Sequence, residues 1–207
     1  MYLLNSHRLR VKPEPTILIY GGAFNPPHLG HKKALEIAAK NFDCQEIWLM
    51  PSADRKDKTI STSSNTRLAM LKIFISELAV SKKIKISKLE INNKKLSSTF
   101  ETTKKLKTLY PNYLFYFVIG SDIIEDIEKF WVQGKKVFNS VNFLILKRPG
   151  YDMPKKLPKN SVIIDKEIIK KNISSTAVRK AIKMGEYVEH LLTPKIKNYI
   201  IAKKLYL

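Results

Sequence analysis

The chain has 207 residues, 44% hydrophobic and 27% charged, with 38 basic against 18 acidic side chains for a net charge of +20. That length and apolar content suit one core-forming domain and argue against general disorder. The longest apolar runs, Tyr113–Gly120 and Val141–Leu146, are strand-sized and far short of a bilayer span. Tyr2-Leu3-Leu4 is too short for a signal-peptide core, and a single cysteine, Cys44, excludes an internal disulfide framework, so the chain is expected to be cytoplasmic and away from membranes. The positive surplus attracts polyanions. Arginine, however, stands only at positions 8, 10, 55, 67, 148 and 179. Scattered lysine is a poor tool for base readout, so no dedicated nucleic-acid role is expected.

Residues 1–15 read as an N-terminal extension closed by Pro13-Glu14-Pro15, and residues 16–207 as a single domain. Thr16–Tyr20 is a buried strand running into Gly21-Gly22, followed by a helix from Leu29 to about Lys40. A second strand, Glu46–Met50, stops at Pro51. After a polar loop, Ser64 or Asn65 is placed to cap a helix with Leu68, Leu71, Phe74, Ile75 and Leu78 on its apolar face. Ile84–Leu89 is strand-like and Thr99–Leu109 helical. Tyr113–Ile119 is the strongest strand and ends at Gly120. Ile123–Glu128 and Trp131–Phe138 read as short helices, Val141–Leu146 and Val162–Asp165 as strands. Ser174 or Ser175 caps a helix to about Lys183, and Pro194 opens a last one. This alternation predicts a doubly wound, Rossmann-like α/β domain with a mainly parallel sheet and helices on both faces. Ligands in such folds sit beyond the carboxyl ends of the strands.

Three of the seven glycines fall in Gly21-Gly22-Ala23-Phe24-Asn25-Pro26-Pro27-His28-Leu29-Gly30-His31. Paired glycines after a strand allow either a close backbone approach to a ligand or a positive φ. The segment then enters a helix N-terminus, which favours anions, and His28 and His31 share one face of its first turn. Two His at this spacing, with no carboxylate or Cys beside them, make a poor zinc set. Neither a Walker lysine motif nor G-x-G-x-x-G is present. Ile173-Ser174-Ser175-Thr176-Ala177-Val178-Arg179 is a second candidate anion site: hydroxyls, helix N–H groups and one guanidinium suit a pyrophosphate.

The first segment resembles the G-G-[ST]-F-[DN]-P-x-H-x-G-H signature, and the second the I-S-S-T-x-[IVL]-R signature, of a nucleotidyltransferase superfamily. Ala23 departs from the usual Ser or Thr. Within that superfamily, bacterial nicotinate-nucleotide adenylyltransferase is resembled by several stretches: Met50-Pro51 with Lys58, Arg67-Leu68-Ala69-Met70-Leu71, Ser97 to Thr103, Gly120-Ser121-Asp122, Phe130-Trp131, Lys147-Arg148-Pro149-Gly150 and the closing Leu205-Tyr206. Pantetheine-phosphate adenylyltransferase shares both signatures and is the nearest alternative; a basic nucleic-acid-binding protein is the alternative of another class. The resemblance implies adenylyl transfer from ATP to nicotinate mononucleotide in NAD biosynthesis, with Mg²⁺ carried on the phosphates. It implies His28 and His31 at the reacting phosphates, Gly21, Gly22, Ala23 and Phe24 around them, and Ser174, Ser175, Thr176 and Arg179 on the leaving pyrophosphate. Lys58 (or Lys56) would neutralise charge, Gly120 and Asp122 would contact ATP, and Thr99 and Trp131 would form the nicotinate pocket. A homo-oligomer is left open.

Overall fold

The computed structural model describes residues 14–53, 60, 62–93, 98–148, 150–165 and 173–207. Six strands form one sheet: β1 (Thr16–Gly22), β2 (Glu46–Pro51), β3 (Lys83–Ile86), β4 (Leu114–Gly120), β5 (Asn142–Leu146) and β6 (Asn160–Ile164). Their order is β3-β2-β1-β4-β5-β6, and every pairing is parallel. Chain order reverses between β1 and β4, which makes their carboxyl ends the switch point where a ligand crevice opens in such sheets.

Side chains alternate along the strands and so feed two cores. Leu18, Leu49, Val118 and Leu144 face α1 (Leu29–Asn41), α2 (Ser64–Ile75), α6 (Ser175–Lys183) and α7 (Pro194–Ala202). Ile17, Ile19, Phe117 and Phe143 face α3 (Thr99–Leu109), α4 (Ile124–Phe130) and α5 (Gly134–Ser140). The β5–β6 crossover packs Met153 and Leu157 on that second face without a helix. Each fully buried Leu, Ile or Phe contributes roughly 1.5–3 kcal/mol by leaving water. Cys44 is a buried member of the first core. Among the described residues no helix is long and apolar enough to cross a membrane.

Several boundaries differ from the sequence reading. Ser63, not Ser64 or Asn65, caps α2, its hydroxyl accepting from Thr66 N at 3.2 Å. The third strand ends at Ile86, before Leu89. Trp131 lies outside a helix: it terminates α4 in extended geometry, and α5 begins only at Gly134. The break has a packing cause, since a Cβ on Gly134 would lie 1.9 Å from the Ile127 carbonyl oxygen. The chain turns through Gln133 at φ +58 to make that approach.

Candidate functional site

The crevice at the switch point is a cavity of about 440 Å³. Gly21, Gly22 and Ala23 line one side, Thr99 and Ser98 another, and Trp131 with Ile123 a third. Of the two uses open to the paired glycines, positive φ is not taken: both finish β1 in regular pairing with Met50 and Pro51. The left-handed residue is Phe24, at φ +49, where the chain leaves the sheet through a cis Asn25–Pro26 bond. At Gly120, the end of β4, any larger side chain would displace the Asp122 and Arg148 side chains. A Cβ there would lie 2.2 Å from Asp122 Oδ1 and 3.1 Å from Arg148 Cδ.

His28 and His31 cap α1 reciprocally. His28 Nδ1 accepts from Gly30 N at 3.1 Å, and His31 Nδ1 accepts from His28 N at 3.1 Å. This is the geometry of a capping box built from imidazoles. Leu29 N donates to Leu191 O at 2.9 Å. The start of α1 is therefore largely satisfied by its own protein, and its backbone offers an anion less than the sequence suggested. The imidazoles compensate. A neutral ring accepting at Nδ1 carries its proton on Nε2 and can donate it. The two rings lie 3.7 Å apart between centroids. Burial, reinforced by the nearby Arg148 charge, lowers His28 to about 3. Burial likewise holds His31 well below the ordinary range, with His28 and Arg148 adding to the effect. Both rings are therefore neutral near pH 7.

That depression links the site to stability. An unfolded imidazole takes a proton below about pH 6.5 while the folded rings refuse it. The stabilisation is thus complete above about pH 6.5. It is lost as pH falls toward the folded values, at up to about 1.4 kcal/mol per pH unit for each ring. Ligand-free protein should melt progressively earlier from pH 6.5 to 4. His28→Asn, which keeps a capping oxygen but does not titrate, should flatten the slope; equal slopes would contradict the assignment.

The second signature docks directly on the first. Ser174 caps α6, accepting from Ala177 N at 3.1 Å, and Ser175 Oγ donates to Pro26 O at 2.9 Å. Arg179 Nη1 donates to Asn25 O at 2.8 Å and Nη2 to Thr176 Oγ1 at 3.2 Å. The hydroxyls expected to form an anion clamp are partly engaged in building it. What α6 still presents is the N–H pair of Ser175 and Thr176, which have no intrahelical partners, and the guanidinium. Asp122 forms a 2.8 Å ion pair with Arg148 Nη1, and Arg148 N donates to Ser121 Oγ at 2.9 Å. Across the cavity, Gln133 ties α3 to the turn holding Trp131. It accepts from Ser98 Oγ at 3.2 Å and donates to Glu101 at 3.3 Å. Lys56 and Lys58 lie outside the described residues.

Residues 19–181 match the Cytidylyltransferase-like family model. The "Probable nicotinate-nucleotide adenylyltransferase" of Bacillus licheniformis is 34% identical, over 91% of this chain and 96% of its own. The nicotinate-nucleotide adenylyltransferase of Bacillus subtilis is 31% identical over 91% of this chain and 96% of its own. Among solved structures, the Plasmodium falciparum nicotinic acid mononucleotide adenylyltransferase complexed with NaAD superposes with a TM-score of 0.82 at 31% identity, covering 93% of this chain and 97% of that one. The chain belongs to the nicotinate-nucleotide adenylyltransferases.

Three residues of this adenylyltransferase stand in stretches that carry the resemblance, but the sequence assigned them no role. Arg148 reaches the site only because β5 lies beside β4, so that its charge bears on both histidines. Arg67, fully buried, donates from Nη1 to Ala23 O at 3.0 Å and so holds the backbone that follows β1. Tyr206 Oη donates to Asn25 Oδ1 at 2.7 Å. The scarcity of arginine was a usable signal: each described arginine (Arg67, Arg148 and Arg179) bears on the segment between β1 and α1 or on its histidines.

Proposed function

We propose that this enzyme joins nicotinate mononucleotide and ATP into deamido-NAD and pyrophosphate, in the cytoplasm, as a step of NAD biosynthesis. The observation that carries the reading is the docking of the two signatures, Arg179 on Asn25 at 2.8 Å and Ser175 on Pro26 at 2.9 Å, with Gly21, Gly22 and Ala23 of the first signature lining the cavity. The attacking oxygen belongs to a phosphate monoester whose second pKa is about 6, so it is largely ionised near neutrality and no general base is required. It forms a bond to the α-phosphorus of ATP while the bond to the bridging oxygen of pyrophosphate breaks. Catalysis then rests on positioning and on donors aimed at the charge that moves.

His28 and His31 would supply neutral Nε2–H donors to the α- and β-phosphates. Arg179 with the Ser175 and Thr176 N–H groups would hold the departing pyrophosphate. Gly21, Gly22, Ala23 and Phe24 would wall the phosphate crevice, and Lys56 or Lys58 would add charge from the neighbouring loop. Gly120 permits close approach of the nucleotide, with Asp122 and Arg148 beside it. Among the described residues no group of three His, Cys, Asp or Glu converges on a metal position. A Mg²⁺ arriving with ATP would offset phosphate charge there. Thr99, at the start of α3, and Trp131 would bound the pyridine ring. Trp131→Ala should raise KM for nicotinate mononucleotide about tenfold while kcat changes less than threefold, measured by coupled pyrophosphate release. An unchanged KM would remove Trp131 from the pocket.

The test of the function is a panel of phosphorylated acceptors with ATP and Mg²⁺, read as pyrophosphate. Nicotinate mononucleotide should turn over and phosphopantetheine should not. Turnover of phosphopantetheine alone would transfer the enzyme to the alternative reading.

A further inference from the structure

The C-terminal residues end against the phosphate loop. After α7 the chain takes a left-handed conformation at Lys204, φ +49, and again at Tyr206, φ +68. Both are residues that seldom adopt it, and such outliers persist where the surrounding structure enforces them. Their result is to bring the Tyr206 hydroxyl to a single point. It donates to Asn25 Oδ1 at 2.7 Å, lies 3.9 Å from Met70 Sδ, and is hydrogen-bonded with Thr62.

Asn25 is 4% exposed, and its carbonyl is the oxygen that receives Arg179. Thr62 is buried at the end of the loop that runs from β2 to α2. One hydroxyl thus joins the segment that leads into both histidines to the residues just before α2. Burial pushes the Tyr206 hydroxyl above the ordinary phenol range, so it remains a donor near neutrality. We infer that Tyr206 is a positioning residue for adenylyl transfer: through Asn25 and Thr62 it fixes the turn that leads into the imidazoles and on which the Arg179 guanidinium docks. The inference rests on the adenylyl-transfer reading and assigns Tyr206 no contact with substrate.

The experiment compares Tyr206→Phe, which keeps the ring, with the wild type. The kcat/KM for ATP should fall five- to tenfold, about the worth of one neutral hydrogen bond, with KM for nicotinate mononucleotide unchanged. Asn25→Ala should give a similar loss. Asn25→Asp, which retains an acceptor oxygen, should keep most of the activity. Combining Tyr206→Phe with Asn25→Ala should cost no more than either alone, because both remove the same bond. Multiplying losses would overturn the inference, as would a Tyr206→Phe enzyme within twofold of wild type. So would a lowered melting temperature with ATP kinetics per folded molecule unchanged, since that marks a purely structural role. If Tyr206→Phe does not fold, the Asn25→Ala and Asn25→Asp pair reads the bond from its other end. If the wild type releases no pyrophosphate with any acceptor, the functional reading fails on its own. Calorimetric ATP affinity, expected to weaken five- to tenfold in Tyr206→Phe, then still decides for or against Tyr206.

Discussion

Replacing Arg179 with alanine should lower kcat by about a hundredfold or more, and replacing it with lysine by about tenfold. The guanidinium has two tasks that one ammonium cannot share. Nη1 holds the Asn25 carbonyl at 2.8 Å and Nη2 holds Thr176 Oγ1 at 3.2 Å. The same planar group stands in the first turns of α6, where the proposed reaction would have the departing pyrophosphate gather charge. Lysine keeps the charge but bonds as a point, not as a fork. Steady-state kinetics with a pyrophosphate-coupled readout checks this. A lysine variant at the parental rate would show that only charge matters there, and an active alanine variant would remove Arg179 from the reaction.

His28→Asn should also reduce turnover about a hundredfold, the scale of losing one preorganised donor to developing negative charge. Asparagine is a favoured N-cap, so its carboxamide oxygen can take over the bond from Gly30 N that Nδ1 now accepts at 3.1 Å. What it lacks is a donor at the position of Nε2. His28→Ala should lose the cap as well, at about 1 kcal/mol of stability beyond the same loss of rate. Thermal melting beside turnover separates the two roles. If the asparagine variant keeps its rate while the alanine variant is unstable, His28 is a cap and nothing more. Because both rings are neutral already near pH 7 in the ligand-free enzyme, kcat/KM should show no inflection from imidazole titration between pH 6 and 8.

The strand–helix alternation was legible because the central strands are buried on both sides and read as continuous apolar runs. Thr16–Gly22, Glu46–Pro51 and Leu114–Gly120 needed only end corrections. Trp131 was misplaced into a helix because a break made by close packing at Gly134 leaves no Pro or capping residue to read. Both signatures stood out as strings of residues, and the structure shows them bonded to each other. Their internal division of labour was not legible. Spacing alone does not reveal that each imidazole spends Nδ1 on the backbone, or that Ser175 serves Pro26. Arg148, Arg67 and Tyr206 stood in family-like stretches, but their partners were hidden for a different reason. They lie at other places in the chain, and only strand adjacency, α2 packing and the C-terminal turn bring them to the loop.

The central claim is that α1 and α6 together hold one triphosphate. A crystal structure of the enzyme with a non-hydrolysable ATP analogue tests it most directly. The phosphate chain should lie between the His28 and His31 Nε2 atoms on one side and Arg179 with the start of α6 on the other. Phosphates placed away from either helix start, or a nucleotide seated instead in the separate cavity beside Trp48 and Tyr110, would contradict it.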